Sequence, residues 1–552
     1  MAAMAAQLRA VSIVAAALPV WLLLIGAPAF GLLRDGALFG SPQSAIAILV
    51  AIGFVAGLAI GPLASPRWRI RLAAIGLFLG AAMLLAPTRW TLFDGDVALD
   101  PSGSGLLVTG LLVLIAALAD RHTPKLVLGG GAIGAVACVG AAGAAYTTVR
   151  PAPSAPEQTR FAAGPNIYQF VFDGMSARAF DPASASQAWN GFIAYPGNRT
   201  NYAATDGSLP GMFTGAHFTG GSFRAFQEAA RTGGYRAALR DAGYQVSLYV
   251  PDRNRFWWFD KASHAVAAQD MARAEHDPLG VRTLFQIGVA HATPPSLKKQ
   301  AVLATRRAWK WSNYNRYKQD TDLIDSFIAD EAKRPAHGRY VYLHIMLPHP
   351  PYKLDAGCRP AKTGYVAQSG CVLRLAERLI GRLRALGRLD GSLVIVQGDH
   401  GFHASESDLP DVREPIPGPV RKRLDALGDS YDADDLMQRS HGLLLIHRPG
   451  APDAPLAVSG EESQLVDIAP TVAETANLGP WHGVGRSLLR DNPAPRDWHY
   501  FAGLTSKTGL FRRRLGRDTE DGRLGHVVRD ASGRWRVKPD VVATPSGAIP
   551  GR

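Results

Sequence analysis

The chain has 552 residues and a mass of 58.9 kDa, so more than one domain is expected. Its 47% hydrophobic and 19% charged residues exclude a disordered chain. The formal charge of +13 comes with widely spread basic residues and no nucleic-acid motif, so no nucleic-acid partner is expected.

The averages hide a split. Residues 1–150 hold 9 Lys/Arg and 5 Asp/Glu, whereas the other 402 hold 50 and 41. This excludes a simple cytosolic enzyme. Five apolar stretches in the first part are candidates to cross a bilayer, which takes ~20 residues. They run over about Val11–Leu33, Ser44–Leu63, the stretch between Arg71 and Arg89, Gly105–Ala119 and Leu126–Tyr146. The first is not read as a cleaved signal peptide, because four more follow and no small-residue cleavage site ends it. The loop with Arg67, Arg69 and Arg71 is basic, the next carries Asp94, Asp96 and Asp100, and Asp120–Lys125 is mildly basic. Basic loops stay in the cytoplasm. The N-terminus is therefore expected inside, and everything beyond Tyr146 outside. The Ala, Gly and Arg bias fits a GC-rich bacterial genome. The expected location is a multi-pass protein of the bacterial inner membrane with its second part periplasmic or extracellular.

The domains expected are a transmembrane bundle at 1–149, a linker at 150–164, a catalytic domain at 165–490 and its extension at 491–552. The linker, Arg150-Pro151-Ala152-Pro153-Ser154-Ala155-Pro156, reads as a semi-rigid spacer. Beyond it, short apolar runs at 166–172, 245–250, 340–347, 392–396 and 442–446 alternate with helical patterns at 224–242, 320–334 and 371–387. Such alternation predicts an α/β domain with a mostly parallel central sheet covered by helices. Residues 526–537 read as a hairpin. Cys358 and Cys371 are the two cysteines of this half, and a disulfide is preferred over a zinc pair. Cys138 reads as a small apolar residue of the fifth span.

Ligands of such sheets bind where strands end. Asp173 ends the first run, His349 follows the run at 340–347, and Asp399 and His400 follow that at 392–396. His403 lies three residues further, and His441 precedes the run at 442–446. Carboxylates and imidazoles at one edge suit Zn2+ or Mn2+. Thr205 and Ser208 lie in a turn that leads into a helix. A hydroxyl there gains from the helix dipole, although either side chain can also act only as a cap.

The motifs Asp173-Gly174, Ser208-Leu209-Pro210-Gly211-Met212-Phe213, Pro348-His349-Pro350-Pro351-Tyr352, Gly398-Asp399-His400-Gly401, Leu465–Thr471 and Gly485–Leu488 occur in an order that resembles the sulfatase branch of the alkaline phosphatase superfamily. Preceded by five apolar stretches, they look like the lipid A phosphoethanolamine transferases and the lipoteichoic acid synthases. That resemblance implies an N-terminal bundle of five transmembrane helices and an alkaline-phosphatase-like (sulfatase) domain. It also implies a divalent metal, Zn2+ or Mn2+, on Asp173, Thr205, Asp399 and His400. Thr205 is the implied nucleophile, three residues before Ser208, and His349 would stabilise the entering or leaving group. His403, His441 and Ser208 are substrate-binding candidates. Asp173 stands where the transferases carry Glu. Met212 stands where sulfatases carry an Arg beside their formylglycine, which ranks Ser208 behind Thr205. The implied activity is transfer of a phosphoethanolamine or phosphoglycerol group from a membrane phospholipid to an envelope glycan or lipid, through a phospho-threonine. The alternatives are an extracytoplasmic phosphodiesterase or sulfatase, and a silent lipid-sensing relative. The basic-aromatic stretch 297–318 fits either a membrane surface or a solvated helix. Phe256-Trp257-Trp258-Phe259 reads as core.

Overall fold

In the computed structural model, the described residues are 2–30, 42–85, 124–148, 162–251, 264–267, 281, 284–285, 288–289, 304, 316–402, 408–409, 415–427, 432–491, 494–502, 513–514, 517–518 and 522–543. The expected fourth span, the linker through Pro156, Phe256–Phe259, His403 and nearly all of 297–315 lie outside them.

The chain divides into two compact units. The first comprises Met1–Pro153, Asp270–Tyr314 and Arg514–Arg517. Its helices are α1 (Ala2–Ala16), α2 (Pro42–Leu63), α3 (Pro66–Leu85) and α4 (Pro124–Thr148). Gln43–Leu63 and Val127–Thr147 are each long and apolar enough to cross a membrane. Ala6–Ala16 and Leu18–Phe30, joined at a 40° bend, make a third candidate if they form one broken span. Pro19 lies in the first turn after that bend, where its missing N–H costs no helical bond. A five-helix bundle is therefore not seen among the described residues, where two or three spans meet the length and composition needed. The loop between α2 and α3 is closed by Arg69, which donates from Nε to the Ala64 carbonyl at 2.9 Å and from Nη2 to that of Pro62. A cation at the carbonyl end of a helix offsets its dipole.

One part of this unit was not expected from the sequence. The segment Asp270–Tyr314, placed in the catalytic stretch by its position in the chain, belongs to the first unit. Leu284 is buried with Trp21, Ile25 and Cys138, and Phe285 packs against the same cluster.

The second unit is built on an eight-stranded sheet in the order β4-β3-β5-β1-β6-β7-β2-β8. The strands are β1 (Ile167–Phe172), β2 (Phe192–Ala194), β3 (Gln245–Val250), β4 (His264–Ala267), β5 (Arg339–Ile345), β6 (Leu393–Gly398), β7 (Leu444–His447) and β8 (Ala457–Val458). The run β4-β3-β5-β1-β6 is parallel throughout. β7 is antiparallel to β6 and to β2, so the sheet is mixed on that side. Every residue of β1, β5 and β6 is buried, as a sheet covered on both faces demands. The covering helices include α5 (Thr205–Thr214), α6 (Phe223–Thr232), α7 (Tyr235–Asp241), α8 (Arg316–Glu331) and α9 (Tyr365–Ala385). The helical pattern at 224–242 is interrupted at Gly233-Gly234, where α6 ends and α7 begins. A three-stranded antiparallel sheet follows, from β9 (Trp498–Ala502), β10 (Gly522–Arg529) and β11 (Trp535–Ala543). β10 and β11 are the hairpin read at 526–537. Cys358 and Cys371 form a disulfide that ties the loop before α9 to that helix.

Two of the family-like motifs serve this framework. Asp467 accepts backbone hydrogen bonds from Gln464 (2.7 Å) and Arg486 (2.8 Å) and pairs with Arg496. Thr471 Oγ1 accepts from the Leu488 amide at 2.9 Å. Leu465–Thr471 and Gly485–Leu488 are thus fastened together.

A candidate metal and nucleophile centre

Three side chains meet at the carboxyl ends of the central strands. β1 runs into Asp173, and its register beside β6 puts Phe172 opposite Gly398, one residue before Asp399. The two loops then cross closely. A side chain on Gly398 would place its Cβ 2.0 Å from the Met175 carbonyl, and Gly174 takes φ +75°, which favours glycine. The Gly174 amide donates to Asp399 Oδ1 at 2.9 Å, and so does the His400 amide at 3.0 Å. Tyr365 receives the Ser176 amide and donates to the Gly174 carbonyl, which fixes the loop.

Thr205 comes from the other side, as the first residue of α5. Its Oγ1 donates to Asp399 Oδ2 at 2.6 Å and lies 3.5 Å from His400 Nε2. The helix is anchored two turns further on by Met212. Gln169 Nε2 and Gln397 Nε2 both donate to its sulfur, at 3.1 and 3.0 Å. Gln169 belongs to β1 and Gln397 to β6, the strands that deliver Asp173 and Asp399. One pair of strands therefore positions both carboxylates and the hydroxyl. Gln169 Oε1 in turn accepts from Tyr235 and Tyr340, each at 2.6 Å, so this buried network is well partnered.

Asp173, Asp399 and His400 each offer a ligand atom within 4.8 Å of the others, and all three are buried. His400 Nε2 is 3.5 Å from Asp173 Oδ1 and 3.7 Å from Asp399 Oδ2. His400 Nδ1–H donates to the Gly401 carbonyl at 2.6 Å, which leaves the lone pair on Nε2, facing the carboxylates. Burial holds the His400 pKa below the usual imidazole value against the pull of Asp399, so the ring is neutral. Burial alone would raise the Asp399 carboxyl, but the hydrogen bonds it accepts from the Thr205 hydroxyl and the Gly174 amide favour the ionised form, and its pKa lies below the usual carboxylate value. Two carboxylates, a neutral imidazole and a hydroxyl, separated by about the edge length of ligands bound at ~2.0–2.2 Å, fit a divalent ion of the zinc or manganese type.

The other candidate residues sit differently. His349 follows β5 at the same sheet edge, half-buried, with Nδ1–H donating to the Pro350 carbonyl at 2.9 Å. Ser208 is buried and its Oγ donates to the Tyr202 carbonyl at 3.1 Å, so it is not brought to the cluster. His441 Nε2 accepts from Arg199 at 2.5 Å, and burial and that cation lower its pKa to about 3. The neutral His441 ring therefore carries its proton on Nδ1. His344 was not singled out by the sequence, because inside an apolar strand it reads as core. It is fully buried, within hydrogen-bonding distance of Tyr342 through Nδ1 (2.9 Å).

No family model and no curated protein matches this chain. Among solved structures it is similar to a phosphonate monoester hydrolase from Silicibacter pomeroyi, at 13% identity over 70% of this chain and 90% of that one, with a TM-score of 0.41. A protein of the alkaline phosphatase superfamily from Vibrio parahaemolyticus is matched at 10% identity over 71% of this chain and 84% of its own, with a TM-score of 0.37. A 2-O GAG sulfatase is matched at 10% identity over 68% and 85%, with a TM-score of 0.40. At these values the likeness says nothing of activity or ligand. The α/β class rests on the strand order and register, and the candidate centre on its own distances.

Proposed function

We propose that this chain is a membrane-anchored, metal-dependent phosphotransferase that moves a phosphorus-containing head group, phosphoethanolamine or phosphoglycerol, from a membrane phospholipid to an envelope glycan or lipid. The observation that carries the reading is the Thr205 hydroxyl, at a helix N-terminus, hydrogen-bonded to Asp399 beside the neutral His400. Asp173, Asp399, His400 and Thr205 would hold a divalent ion, which when bound supplies Lewis-acid charge for the phosphoryl oxygens and the threonine oxygen.

The remaining chemistry belongs to the chain. Thr205 Oγ1 gives up its proton and bonds to phosphorus. The bond from phosphorus to the lipid alcohol breaks, and that alcohol leaves with a proton. The acceptor hydroxyl then loses its proton and attacks, releasing Thr205. His349 exchanges these protons with the leaving and entering oxygens, through the nitrogen not bonded to Pro350. The α5 N-terminus favours the anionic phosphoryl group. The helices able to cross a membrane support a lipid donor, and that location remains part of the proposal with the N-terminus in the cytoplasm and the second unit outside.

Water as the acceptor would make the same centre a phosphodiesterase. A sulfatase reaction through formylglycine needs a Cys or Ser, and Ser208 is buried and bonded to Tyr202. A silent lipid-sensing relative would have no use for the Thr205–Asp399 contact. The test is turnover of a phospholipid with an acceptor glycan, before and after a chelator. Metal-dependent transfer is expected. Metal-dependent release of free head group at an unchanged rate with or without acceptor would replace transfer by hydrolysis. Lipid binding without turnover would remove the enzyme reading.

A further inference from the structure

The run Pro348-His349-Pro350-Pro351 is mostly proline, which carries no N–H, so few amides remain in it to close the loop. The loop is held instead from two of the helices that cover the sheet. Asp320 of α8 is fully buried and accepts the Met346 and Leu347 amides at 3.0 Å each, where β5 ends. Gln368 of α9 is also fully buried and spans the loop beyond. Its Oε1 accepts the Lys353 amide at 2.8 Å and the Leu354 amide at 3.2 Å. Its Nε2 donates to the Pro348 carbonyl at 3.0 Å and to that of His349 at 3.4 Å. The next carbonyl, of Pro350, takes the proton of His349 Nδ1. Three successive carbonyls are thus served by two side-chain donors.

We propose that Gln368 is a positioning residue for His349, an inference that rests on the proton-exchanging role proposed above for that histidine. With the loop fixed, the Pro350 carbonyl keeps the ring proton on Nδ1 and leaves Nε2 for the reacting oxygens. Without the Gln368 amide, the Pro348 and His349 carbonyls lose their donor. His349 Nδ1–H then becomes a competing donor within the same loop, and the ring leaves the Pro350 carbonyl for part of the time. Misplacement of that kind costs up to about a hundredfold in rate without touching the metal ligands.

The same stretch of α9 holds the other side of the centre. Residues three apart on a helix are neighbours. Tyr365, three before Gln368, bonds to Gly174 and Ser176 and packs against Phe402 with ring centroids 4.6 Å apart. Cys371, three after it, holds Cys358 through the disulfide. The first two turns of α9 therefore fix the loops of Asp173, His349 and Cys358 relative to one another.

The experiment is head-group release from phospholipid by the full chain with metal, whatever the acceptor. It compares the native chain with Gln368→Leu, His349→Ala and the double variant. Gln368→Leu keeps the bulk and removes the hydrogen bonds to the loop. A fall in kcat of about 10- to 100-fold is expected, with KM changed by less than about threefold and bound metal retained. His349→Ala is expected to lose about 10²–10⁴ in kcat. Adding Gln368→Leu to it should cost less than about twofold more, because the ring it acts through is gone. Costs that multiply in the double variant would overturn the inference, as would a Gln368→Leu kcat within about twofold of the native value. Native activity of His349→Ala would overturn it too. Gln368→Glu guards against a misfolded leucine variant. Its carboxyl keeps an acceptor oxygen and donates only when protonated, so its kcat should match the native chain or rise toward it as pH falls. A ratio that stays low at every pH would overturn the inference. Full activity of Thr205→Ala would sink the proposed function. Loss of activity in Thr205→Ala with multiplying costs at Gln368 and His349 would sink this inference alone.

Discussion

At the scale of single residues, Thr205 and Asp399 carry the account. Thr205→Ala removes the only atom proposed to bond phosphorus, and turnover should fall by at least about a thousandfold with little change in fold. Thr205→Ser keeps a hydroxyl and should retain measurable activity. Equal activity of Thr205→Ala and the native chain in a head-group release assay would contradict the assignment. The Asp–His pairing after a buried strand and the Asp after its neighbour were legible in the sequence, because polar residues that close apolar runs stand out. His344 was not, since its signal is masked by the strand around it. Nor was the meeting of His217, His499 and His526, which come from distant stretches: the His217 ring lies 5.0 Å from that of His499, and His499 Nδ1 lies 3.0 Å from His526 Nε2. Those histidines also make a pH prediction. Their folded pKa values lie below the ordinary value of 6.5. Above pH 6.5 both folded and unfolded forms are neutral, and no stability is lost. As pH falls from 6.5 toward about 4 and then 3, the unfolded chain takes up protons that the folded one refuses, so stability declines. Denaturation midpoints across that range should show a shallower decline in His217→Gln. An identical slope would show that His217 is not responsible.

At the scale of elements, the second unit depends on a few buried polar anchors. Glu331, at the end of α8, is fully buried between Arg339 and Arg388 and accepts from Tyr168 at 2.6 Å. Glu331→Ala leaves the Arg339 cation buried without its partner and should cost about 3–5 kcal/mol in denaturant unfolding. A cost below about 1 kcal/mol would mean that the pair is much less desolvated than its burial implies. Met212→Ala removes a buried side chain and the acceptor of two glutamine amides. A cost of about 2–5 kcal/mol is expected, together with a loss of activity greater than the stability loss explains, because α5 also carries Thr205. The strands were legible as apolar runs and the hairpin as a turn between two strands. Strand direction was not, because an apolar run reads alike in either sense, and β7 runs against β6. The break at Gly233-Gly234 was a stronger signal than the helical period that ran across it.

At the scale of the whole molecule, the split between an apolar first part and an ordinary second part was visible in charge alone. The excursion of Asp270–Tyr314 into the first unit was not, because nothing in local pattern tells which core an apolar stretch joins. Leu284 does so by packing with Trp21 and Ile25. The proposed topology predicts that reporters active only outside the cytoplasm work when fused after residue 148 and fail when fused at the N-terminus or in the Arg67–Arg71 loop. Activity at the N-terminal fusion would reverse the orientation. Oxidising surroundings for the second unit also suit the Cys358–Cys371 bond, whose removal by Cys358→Ser should cost about 2–4 kcal/mol.

The most direct test of the central claim is the mass of the peptide containing Thr205 after the full chain has been incubated with metal and phospholipid. The account predicts a head-group adduct on that peptide, absent from Thr205→Ala, whose mass names the group transferred. An unmodified peptide in an enzyme that still cleaves the lipid, at the same rate in both proteins, would contradict it.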